Sequence, residues 1–303
     1  MSLTALRADY QDHKIEKHDF IHRMHQCHSS LFEYVGIISS TDITKIEIDT
    51  SGVYFTVKHR ALSYNGEGVR LYVDPRDQRI APIEALNFDT YEDSDFSMIA
   101  KLIKPGHTVL DIGGNIGFYS LSLAKQFPTS QFHAFEPLPK TFAQLKRNLE
   151  MNNLKNVNIY NFGFSNEKNT LTFYFYPEGS GNASSARLSD RDSVEEVTCS
   201  VITVDEFVKD NTLKVDFIKC DVEGAELLVF QGANAVLDTH RPIVFSEILR
   251  KWSKKFDYDP NEIFQLFRSK NYGAYTCAKG ELVPFEKMTE ETLETNFFFI
   301  PNS

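Results

Sequence analysis

The chain has 303 residues and a hydrophobic content of 42%, which suits one large globular α/β domain with an additional module. Its formal net charge of −10 argues against an enzyme that acts on nucleic acid, since such an enzyme needs a basic face for phosphates. The four cysteines form no C-x-x-C pair, the first residues are too polar for a signal peptide and no long apolar run occurs, so we expect a cytoplasmic protein without disulfides, a zinc site or a membrane span.

The first 90 residues are predicted to form a small module. Residues 3–35 carry an interrupted apolar stripe typical of one or two helices, and residues 43–60 and 69–73 alternate as a small antiparallel hairpin or meander does. The helical part contains His13, His18, His22, His25 and His28. A polar face or a dimer contact explains these histidines better than a metal site, because no ligand set is complete. We expect the module to cap the sheet or to form a homodimer contact.

The most informative segment reads V-L-D-I-G-G-N-I-G at residues 109–117 and is followed by F-E-P at residues 135–137. An apolar run that ends at Asp111, a turn of glycines and a helical apolar spacing predict a strand, a tight loop and a helix. A second short strand then delivers Glu136. These parts form a mononucleotide-binding unit in which the acid accepts hydrogen bonds from ribose hydroxyls.

The glycine loop does not match a dinucleotide fingerprint. Counting from Gly113, the third and sixth positions of G-x-G-x-x-G are Asn115 and Phe118. The carboxylate of Asp111 would repel a pyrophosphate but suits an ammonium group, and S-adenosylmethionine combines such a group with a ribose and no phosphate. The alternative is an ordinary strand-to-helix turn with a solvated acid, and the position of Glu136 makes that alternative the weaker one.

Strands and helices are predicted to alternate through the rest of the chain. Strands are expected near residues 108–111, 131–135, 157–161, 215–220, 243–247, 272–277 and 296–300, and helices near 96–103, 116–126, 139–152, 224–237 and 260–270. Such alternation is typical of a doubly wound parallel sheet that binds ligands at the carboxyl ends of its strands. Two further strands, Leu171 to Tyr176 and Val197 to Val201, flank a glycine- and serine-rich loop that is either a lid or a surface connection.

Three more motifs follow: V-D-F-I-K-C-D-V-E-G-A-E-L-L-V-F-Q-G-A at residues 215–233, I-V-F-S-E at 243–247 and N-F-F-F-I-P at 296–301. Together with the glycine loop and F-E-P, they resemble the FkbM family of S-adenosylmethionine-dependent methyltransferases. The resemblance implies a Rossmann-like class I methyltransferase fold, α/β, with a seven-stranded, mostly parallel sheet of order 3-2-1-4-5-7-6. We therefore expect an N-terminal module at residues 1–90 and a methyltransferase domain at residues 91–303.

The resemblance assigns the cofactor site residue by residue. It implies that S-adenosylmethionine, which leaves as S-adenosylhomocysteine, meets Asp111, Gly113, Gly114, Asn115 and Gly117 with its methionine tail, Glu136 with its ribose, Phe162 and Gly163 with its adenine and Asp221 near its methyl group. Pro137 fixes the chain beyond Glu136, and Glu92 is expected to reach the cofactor from the N-terminal side. The stretch that contains Asn182, Ser184 and Ser185 resembles a family element, which favours the lid and a contact with the acceptor.

Three acids are predicted to meet at strand ends, namely Asp221, Glu223 and Glu247. An alcohol acceptor needs a base or a metal, because its proton is weakly acidic. Asp221 is the first candidate for the general base, and Glu223 or Glu247 assists it or orients the acceptor. The alternative is that Asp221 caps a helix beginning at Gly224, and Glu226 is expected to be structural. Carboxylates together can hold Mg²⁺, but no ligand set is complete enough to predict a metal site.

The segment R-K-W-S-K-K at residues 250–255 places Lys251 and Trp252 directly after the last of these acids. Aromatic rings stack on sugars and cations attract anionic groups, which favours an anionic or sugar-bearing acceptor. The equally supported alternative is a solvated helix start with Trp252 packed on the core.

These observations predict an O-methyltransferase that acts on a hydroxyl of a sugar, glycoconjugate or polyketide-like metabolite, the acceptor class being implied by the family resemblance. Two alternatives stay open. A non-catalytic module that binds S-adenosylmethionine would not need the three acids, and a nicotinamide-dependent oxidoreductase would need the fingerprint that the glycine loop lacks.

Overall fold

The computed structural model describes residues 2–175, 184 and 194–302, with the backbone alone of Phe175. Its N-terminal part consists of α1 (Leu3–Gln11), α2 (Lys17–Ile38), β1 (Ile43–Asp49), β2 (Gly52–Val57) and β3 (Val69–Val73). The three strands form an antiparallel meander in the order β1-β2-β3. The predicted helices and strands of this part are therefore present, with the meander rather than the simple hairpin.

The remaining elements follow in chain order. They are α3 (Ala81–Phe88), α4 (Asp93–Leu102), β4 (Thr108–Ile112), α5 (Phe118–Gln126), β5 (Gln131–Phe135), α6 (Pro139–Asn152), β6 (Val157–Tyr160), β7 (Gly163–Phe164), β8 (Asn169–Phe175), β9 (Glu195–Ile202), α7 (Val204–Asp210), β10 (Phe217–Cys220), α8 (Glu226–Gln231), α9 (Asn234–Thr239), β11 (Ile243–Glu247), α10 (Arg250–Ser253), α11 (Asn261–Ser269), β12 (Tyr272–Ala278), β13 (Glu281–Pro284) and β14 (Asn296–Pro301). Among the described residues, we find no helix with the length and apolar character that a membrane crossing requires.

The large sheet has eight strands in the order β13-β12-β14-β11-β10-β4-β5-β6. Strands β4, β5, β6, β10 and β11 are parallel, and β14 runs antiparallel between β11 and β12. Without β13, the strands counted along the chain lie in the order 3-2-1-4-5-7-6 across the sheet. This confirms the predicted α/β class I fold, in which the carboxyl ends of β4, β5, β10 and β11 meet at one edge of the sheet.

The sheet has one strand more than predicted, because the chain turns back after β12. Lys279 and Gly280 both have positive φ angles, 52° and 75°, and Ala278 pairs with Glu281 across them. A two-residue turn with two positive φ angles matches the twist of a hairpin. The turn therefore adds β13 as an edge strand.

The helix predicted over residues 224–237 is divided into α8 and α9. A side chain at Gly232 would lie 2.1 Å from the carbonyl oxygen of Ser165, and the carbonyl of Gly232 accepts a hydrogen bond from the amide of Asp205. This close packing against neighbouring loops interrupts the helix at the glycine. The apolar spacing of the segment continues across the break, which is why the sequence predicts a single helix.

The N-terminal sheet packs on the large sheet through one continuous hydrophobic core. That core contains, from both sides of residue 90, Phe55, Leu71, Ile99, Val109 and Phe118. The side-chain amides of Asn148 and Asn152 on α6 also hydrogen-bond the backbone of β3 at Tyr72 and Arg70. The division near residue 90 stays a prediction about folding units, and the shared core leads us to expect that the two units unfold together.

Strands β8 and β9 pair antiparallel beside the sheet, in a second small sheet of order β7-β9-β8. They correspond to the two strands predicted around the glycine- and serine-rich loop. Of that loop the structure describes Ser184, while Asn182 and Ser185 lie outside the described residues. The lid therefore stays a prediction.

Candidate active site

A cavity of about 550 Å³ lies where the carboxyl ends of β4, β5, β10 and β11 meet. The predicted site residues that line it are Glu92, Gly113, Gly114, Asn115, Glu136, Pro137, Asp221, Glu223, Glu247, Lys251 and Trp252. Other predicted residues do not line it, namely Asp111, Gly117, Phe162, Gly163 and Ser184. Residues that the sequence analysis did not select also form its wall, including Tyr91, Tyr119, Leu138, Phe173 and Lys219.

The glycine loop is held between two strand ends. The amides of Gly113 and Gly114 both donate to the carbonyl oxygen of Phe135, at 3.1 and 2.9 Å. Gly113 has a φ of +79°, and a side chain there would lie 1.8 Å from the carbonyl oxygen of Asp221. Glycine is therefore required at this position, because the loop crosses directly over the segment that follows β10.

Glu136 is buried directly after β5, and two backbone amides hold its carboxylate. Its two oxygens accept hydrogen bonds from the amides of Asn115, at 3.1 Å, and Leu138, at 3.0 Å. Burial raises the pKa of Glu136 to about 7, and these two amides oppose the shift. Each carboxylate oxygen keeps a lone pair for a further donor from the cavity, as the predicted ribose contact requires.

Asp111 lies beneath the cavity, where it faces a buried cation. Its carboxylate accepts a hydrogen bond from the hydroxyl of Ser120 at 2.6 Å and lies 3.6 Å from Nζ of Lys219. Lys219 already lies beside this carboxylate and Asp111 does not line the cavity, and its contact with an ammonium group stays a prediction. The sequence offers no local signal for this pair, because the two residues lie on different strands that only the fold makes neighbours.

Lys219 is a buried cation that lines the cavity. Its Nζ lies 3.3 Å from the carbonyl oxygen of Gly113 and 3.5 Å from Oδ2 of Asp221. It also lies over the ring of Tyr119, at 5.2 Å from the centroid. Burial lowers the pKa of Lys219, but the surrounding carboxylates raise it by more, so the pKa lies above its ordinary value and the amine stays charged.

Glu92 enters the cavity from the N-terminal side, as predicted from the family resemblance. Its backbone is left-handed, with φ 47° and ψ 45°. The hydroxyl of Tyr119 donates to Oε2 of Glu92 at 2.5 Å. Burial raises the pKa of Glu92, and the hydrogen bond from Tyr119 opposes the shift.

Asp221, Glu223 and Glu247 come together on one wall of the cavity, with one oxygen of each within 4.8 Å of the others. Burial raises the pKa of Glu223 to about 9, and the charge of Asp221 adds to the shift. Burial, then Asp221 and Glu223, raises the pKa of Glu247 well above its ordinary value. Burial therefore favours the neutral forms of Glu223 and Glu247, whereas Asp221 has Lys219 beside it as a counter-charge.

The helix after this cluster has Ala225 as its N-cap residue, so Asp221 does not cap it. Helix α8 begins at Glu226, and the carboxylate of this residue accepts hydrogen bonds from the amides of Val222 and Gly224, at 3.2 and 3.0 Å. The hydroxyl of Tyr258 lies 3.4 Å from its second oxygen. Glu226 thus shapes the segment between β10 and α8 and leaves Asp221 on the cavity wall.

Two polar atoms on the same wall are buried without a hydrogen-bond partner among the described residues, Oε2 of Glu223 and Nε1 of Trp252. The indole N–H contributes to lowering the pKa of Glu223, although the two groups do not meet hydrogen-bond geometry. Lys251 lies over the ring of Trp252 at 4.2 Å. Buried polar groups are nearly always paired, so an unpaired donor and acceptor on a cavity wall mark a place for a ligand.

The predicted adenine contacts are set back from the cavity. Phe162 packs in an aromatic cluster with Phe135, Phe164 and Phe207. The side chains of Leu138 and Phe173 line the cavity instead. Ser184 donates to the carbonyl oxygen of Glu223 at 2.8 Å, so it supports the wall through the backbone.

Comparisons with known proteins agree with this geometry. Residues 111–273 match the Methyltransferase FkbM domain. Methyltransferase 1 of Beauveria bassiana is 30% identical over 168 residues, which cover 50% of this chain and 66% of that protein. The 31-O-demethyl-FK506 methyltransferase FkbM of Streptomyces tacrolimicus is 33% identical over 76 residues, which cover 25% of this chain and 29% of that protein. The chain thus matches less than two thirds of the length of each relative.

A solved structure, the methyltransferase FkbM from Methylobacillus flagellatus, aligns with 74% of this chain and 56% of its own length, at 14% identity and a TM-score of 0.41. The domain match covers more than half of the chain and includes the glycine loop, Glu136 and the acidic cluster. The chain therefore belongs to the FkbM family of S-adenosylmethionine-dependent methyltransferases.

Proposed function

We propose that this protein is an O-methyltransferase that transfers the methyl group of S-adenosylmethionine to a hydroxyl of a small-molecule or glycan acceptor, with Asp221 as the general base. One observation carries the proposal. Asp221, Glu223 and Glu247 share one wall of the cavity that also contains the glycine loop and Glu136. A hydroxyl acceptor needs a base for its proton, whereas a neutral amine attacks without one.

The residues of the cavity fit the cofactor. The volume of about 550 Å³ lies within the range of roughly 300–1,000 Å³ for small-molecule pockets. Glu136 would hold the ribose hydroxyls through its remaining lone pairs, beside a glycine loop that a ligand can approach closely. Because Asp111 is paired with Lys219, we assign the ammonium group to Glu92, which lines the cavity.

The charge of the cavity also favours a cationic ligand. The carboxyl groups of Glu92, Asp221, Glu223 and Glu247 line it, and burial raises the pKa of three of them. A positively charged ligand nearby favours the ionised forms of such acids. A dinucleotide would instead bring a pyrophosphate against them, which weakens the oxidoreductase alternative.

When bound, the cofactor supplies a methyl group on a positively charged sulfur, so the leaving group needs no further activation. The protein supplies orientation and proton removal. Asp221 accepts the hydroxyl proton of the acceptor, and Lys219 at 3.5 Å stabilises its negative charge. Glu223 and Glu247 share this wall with Asp221 and orient the acceptor through hydrogen bonds.

The unpaired groups on the wall support a hydroxylated acceptor. Trp252 offers a buried N–H donor with an aromatic face, and Glu223 offers a buried oxygen. A sugar, a glycoconjugate or a polyketide-like metabolite presents both hydroxyls and an apolar face to such a wall. The three carboxylates also form the one group, within the described part of the chain, with which Mg²⁺ binding is compatible.

The N-terminal module adds a proposal about assembly. Helix α2 has no buried residue, and its Phe32 and Val35 are 69% and 71% exposed. A homodimer that covers this face would explain the exposed apolar side chains.

The test is an assay of S-adenosylhomocysteine release with purified protein, S-adenosylmethionine and matched acceptors that carry a hydroxyl, an amine or a carboxyl group on the same scaffold. We expect release with hydroxyl acceptors alone, and a loss of about 10²–10⁴-fold in the D221N variant with little change in cofactor affinity. Release with amine acceptors alone, or full activity of D221N, would refute the proposal. Cofactor binding without turnover on any acceptor would favour the non-catalytic module.

A further inference from the structure

The segment that presents Glu92 to the cavity is held by the N-terminal module. The amide of Asp42, at the start of β1, donates to the carbonyl oxygen of Asp89 at 2.7 Å. Nη2 of Arg60 donates to the same carbonyl oxygen at 3.0 Å. Both contacts fix the chain just before Thr90, so the position of the segment depends on residues about thirty or more positions away.

A buried hydrogen-bond chain continues from these contacts, and its direction follows from its donors. The amide of Ala61 donates to Nδ1 of His59 at 3.1 Å, so the proton of the neutral ring is on Nε2. Nε2 lies 3.3 Å from the hydroxyl of Thr90, which donates to Oδ2 of Asp42 at 2.6 Å. Nε of Arg60 completes the chain at Oδ1 of Asp42, at 3.0 Å. Every donor therefore has an acceptor.

The ring of His59 is fully buried and has its own support. It stacks on Phe96 of α4 at 4.1 Å, and Nε2 lies 3.7 Å from a carboxylate oxygen of Asp93. Burial lowers the pKa of His59 by more than Asp42 and Asp93 raise it, which agrees with a neutral ring that accepts at Nδ1. The chain thus clamps both sides of the Thr90–Glu92 segment.

The clamped segment has a conformation that a glutamate does not adopt on its own. Glu92 has φ 47° and ψ 45°, a left-handed geometry that persists in a non-glycine residue only where the surroundings fix it. On the cavity side its carboxylate is held by the hydroxyl of Tyr119, which does not restrain the backbone before Glu92. The N-terminal module adds a restraint on that backbone through Asp89 and Thr90, beside the hydrogen bond from the amide of Phe96 to the carbonyl oxygen of Glu92.

We propose that Asp42 and His59 are positioning residues that act through Thr90 to hold Glu92 in the cofactor cavity, so that the N-terminal module is part of the cofactor site. This inference rests on the proposed function, because it takes Glu92 as a cofactor contact. It gives the first 90 residues a role that the methyltransferase motifs do not reveal.

Two variants test the proposal without changing residue shape, D42N and T90V. Each is expected to weaken the binding of S-adenosylhomocysteine, measured by titration calorimetry, by about tenfold, the effect of losing one hydrogen bond to a charged group. L71A is the matched control, because Leu71 is buried in the same module, on β3, where it pairs with Phe55 of β2. It should lower the Tm at least as much and change the Kd by less than about twofold.

Double variants separate positioning from general destabilisation. D42N should weaken binding no further in an E92Q background, because both changes act through Glu92, whereas D42N and E136A should multiply. Equal effects of D42N in wild-type and E92Q backgrounds, or wild-type affinity of both D42N and T90V, would overturn the proposal.

A measurement without ligand keeps the two proposals distinguishable. Amide hydrogen exchange over residues 89–96 should be faster in D42N than in L71A if the clamp holds this segment. Failure of the wild-type protein to bind S-adenosylmethionine or S-adenosylhomocysteine would count against the proposed function, and the exchange would still decide the positioning. Equal exchange in the two variants would refute it.

Discussion

Two glutamates follow strands β5 and β10, which lie on either side of β4, and their carboxyl groups are held in different ways. Glu136 follows β5, and both of its oxygens accept backbone amides. Glu223 follows β10, and its Oε2 has no hydrogen-bond partner among the described residues. Burial raises the pKa of both, to about 7 in Glu136 and about 9 in Glu223. The larger shift belongs to Glu223, because the charge of Asp221 adds to the effect of burial there, whereas two backbone amides oppose the shift of Glu136.

The two ends of the cavity therefore differ in whether backbone groups or side chains position their polar atoms. At the end of the cavity around Glu136, where we propose that the ribose binds and which we call the ribose end, backbone amides hold the carboxylate. The end where we propose that the acceptor binds, which we call the acceptor end, is lined by side chains such as Glu223 and Trp252. A site fixed by the backbone binds one ligand across a family, and a site lined by side chains changes its ligand by substitution.

The largest expected effect is on cofactor binding, and it comes from removing the carboxylate of Glu136 at the ribose end. E136A should weaken the binding of S-adenosylmethionine by about 100-fold, because two hydrogen bonds to a charged acceptor are lost together. Titration calorimetry measures the change. Glu150 on the exposed side of α6 provides the control, since E150A should bind as the wild type does. Wild-type affinity of E136A would place the ribose elsewhere.

A smaller effect is expected at the acceptor end from W252F, which keeps an aromatic ring and removes the N–H. The KM for the acceptor should rise by about 3- to 10-fold, the effect of one neutral hydrogen bond, while the Kd for the cofactor stays within about twofold. Steady-state kinetics and calorimetry on the same preparation measure both. A change in cofactor affinity alone would show that Trp252 belongs to the ribose end instead.

The same contrast explains what the sequence predicts. The ribose end can be predicted from the sequence because its parts are close in the chain. β4, the glycine loop, β5 and Glu136 follow within 30 residues of one another. The acidic cluster is readable because each acid ends an apolar strand, and parallel strands bring their ends together. The fold follows for the same reason, since strand and helix periods alternate clearly over the large sheet.

Sequence patterns do not predict the features that depend on contacts between distant segments of the chain. Asp111 is paired with Lys219 of β10, a lysine inside an otherwise apolar strand whose role only strand pairing reveals. The break in the helix after β10 comes from the close approach of Gly232 to Ser165. The hydrophobic periodicity of one segment carries no information about its contacts with another segment, and these features depend on such contacts.

The smallest expected effect is on thermal stability. The change in Tm should have opposite signs when Glu223 and Glu136 are each replaced by glutamine. The folded-state pKa of Glu223 is raised to about 9 from 4.5, so the folded protein binds more protons than the unfolded chain between these values. Its contribution to stability is therefore fully present below pH 4.5 and is lost as the pH rises through about 9. E223Q mimics the protonated acid and should raise the Tm at pH 8 by a few degrees, with little change at pH 4.5.

E136Q is the matched control with the opposite sign. The amide group of glutamine replaces one of the two acceptor oxygens and leaves the amide of Asn115 or Leu138 facing a donor. The Tm of E136Q should therefore fall at pH 8, where that of E223Q rises, because an unpaired buried amide costs about 1–3 kcal/mol. Thermal unfolding of both variants at the two pH values measures the contrast. A fall in both would mean that Glu223 is already paired and ionised in the folded protein, and that the acceptor end is as preorganised as the ribose end.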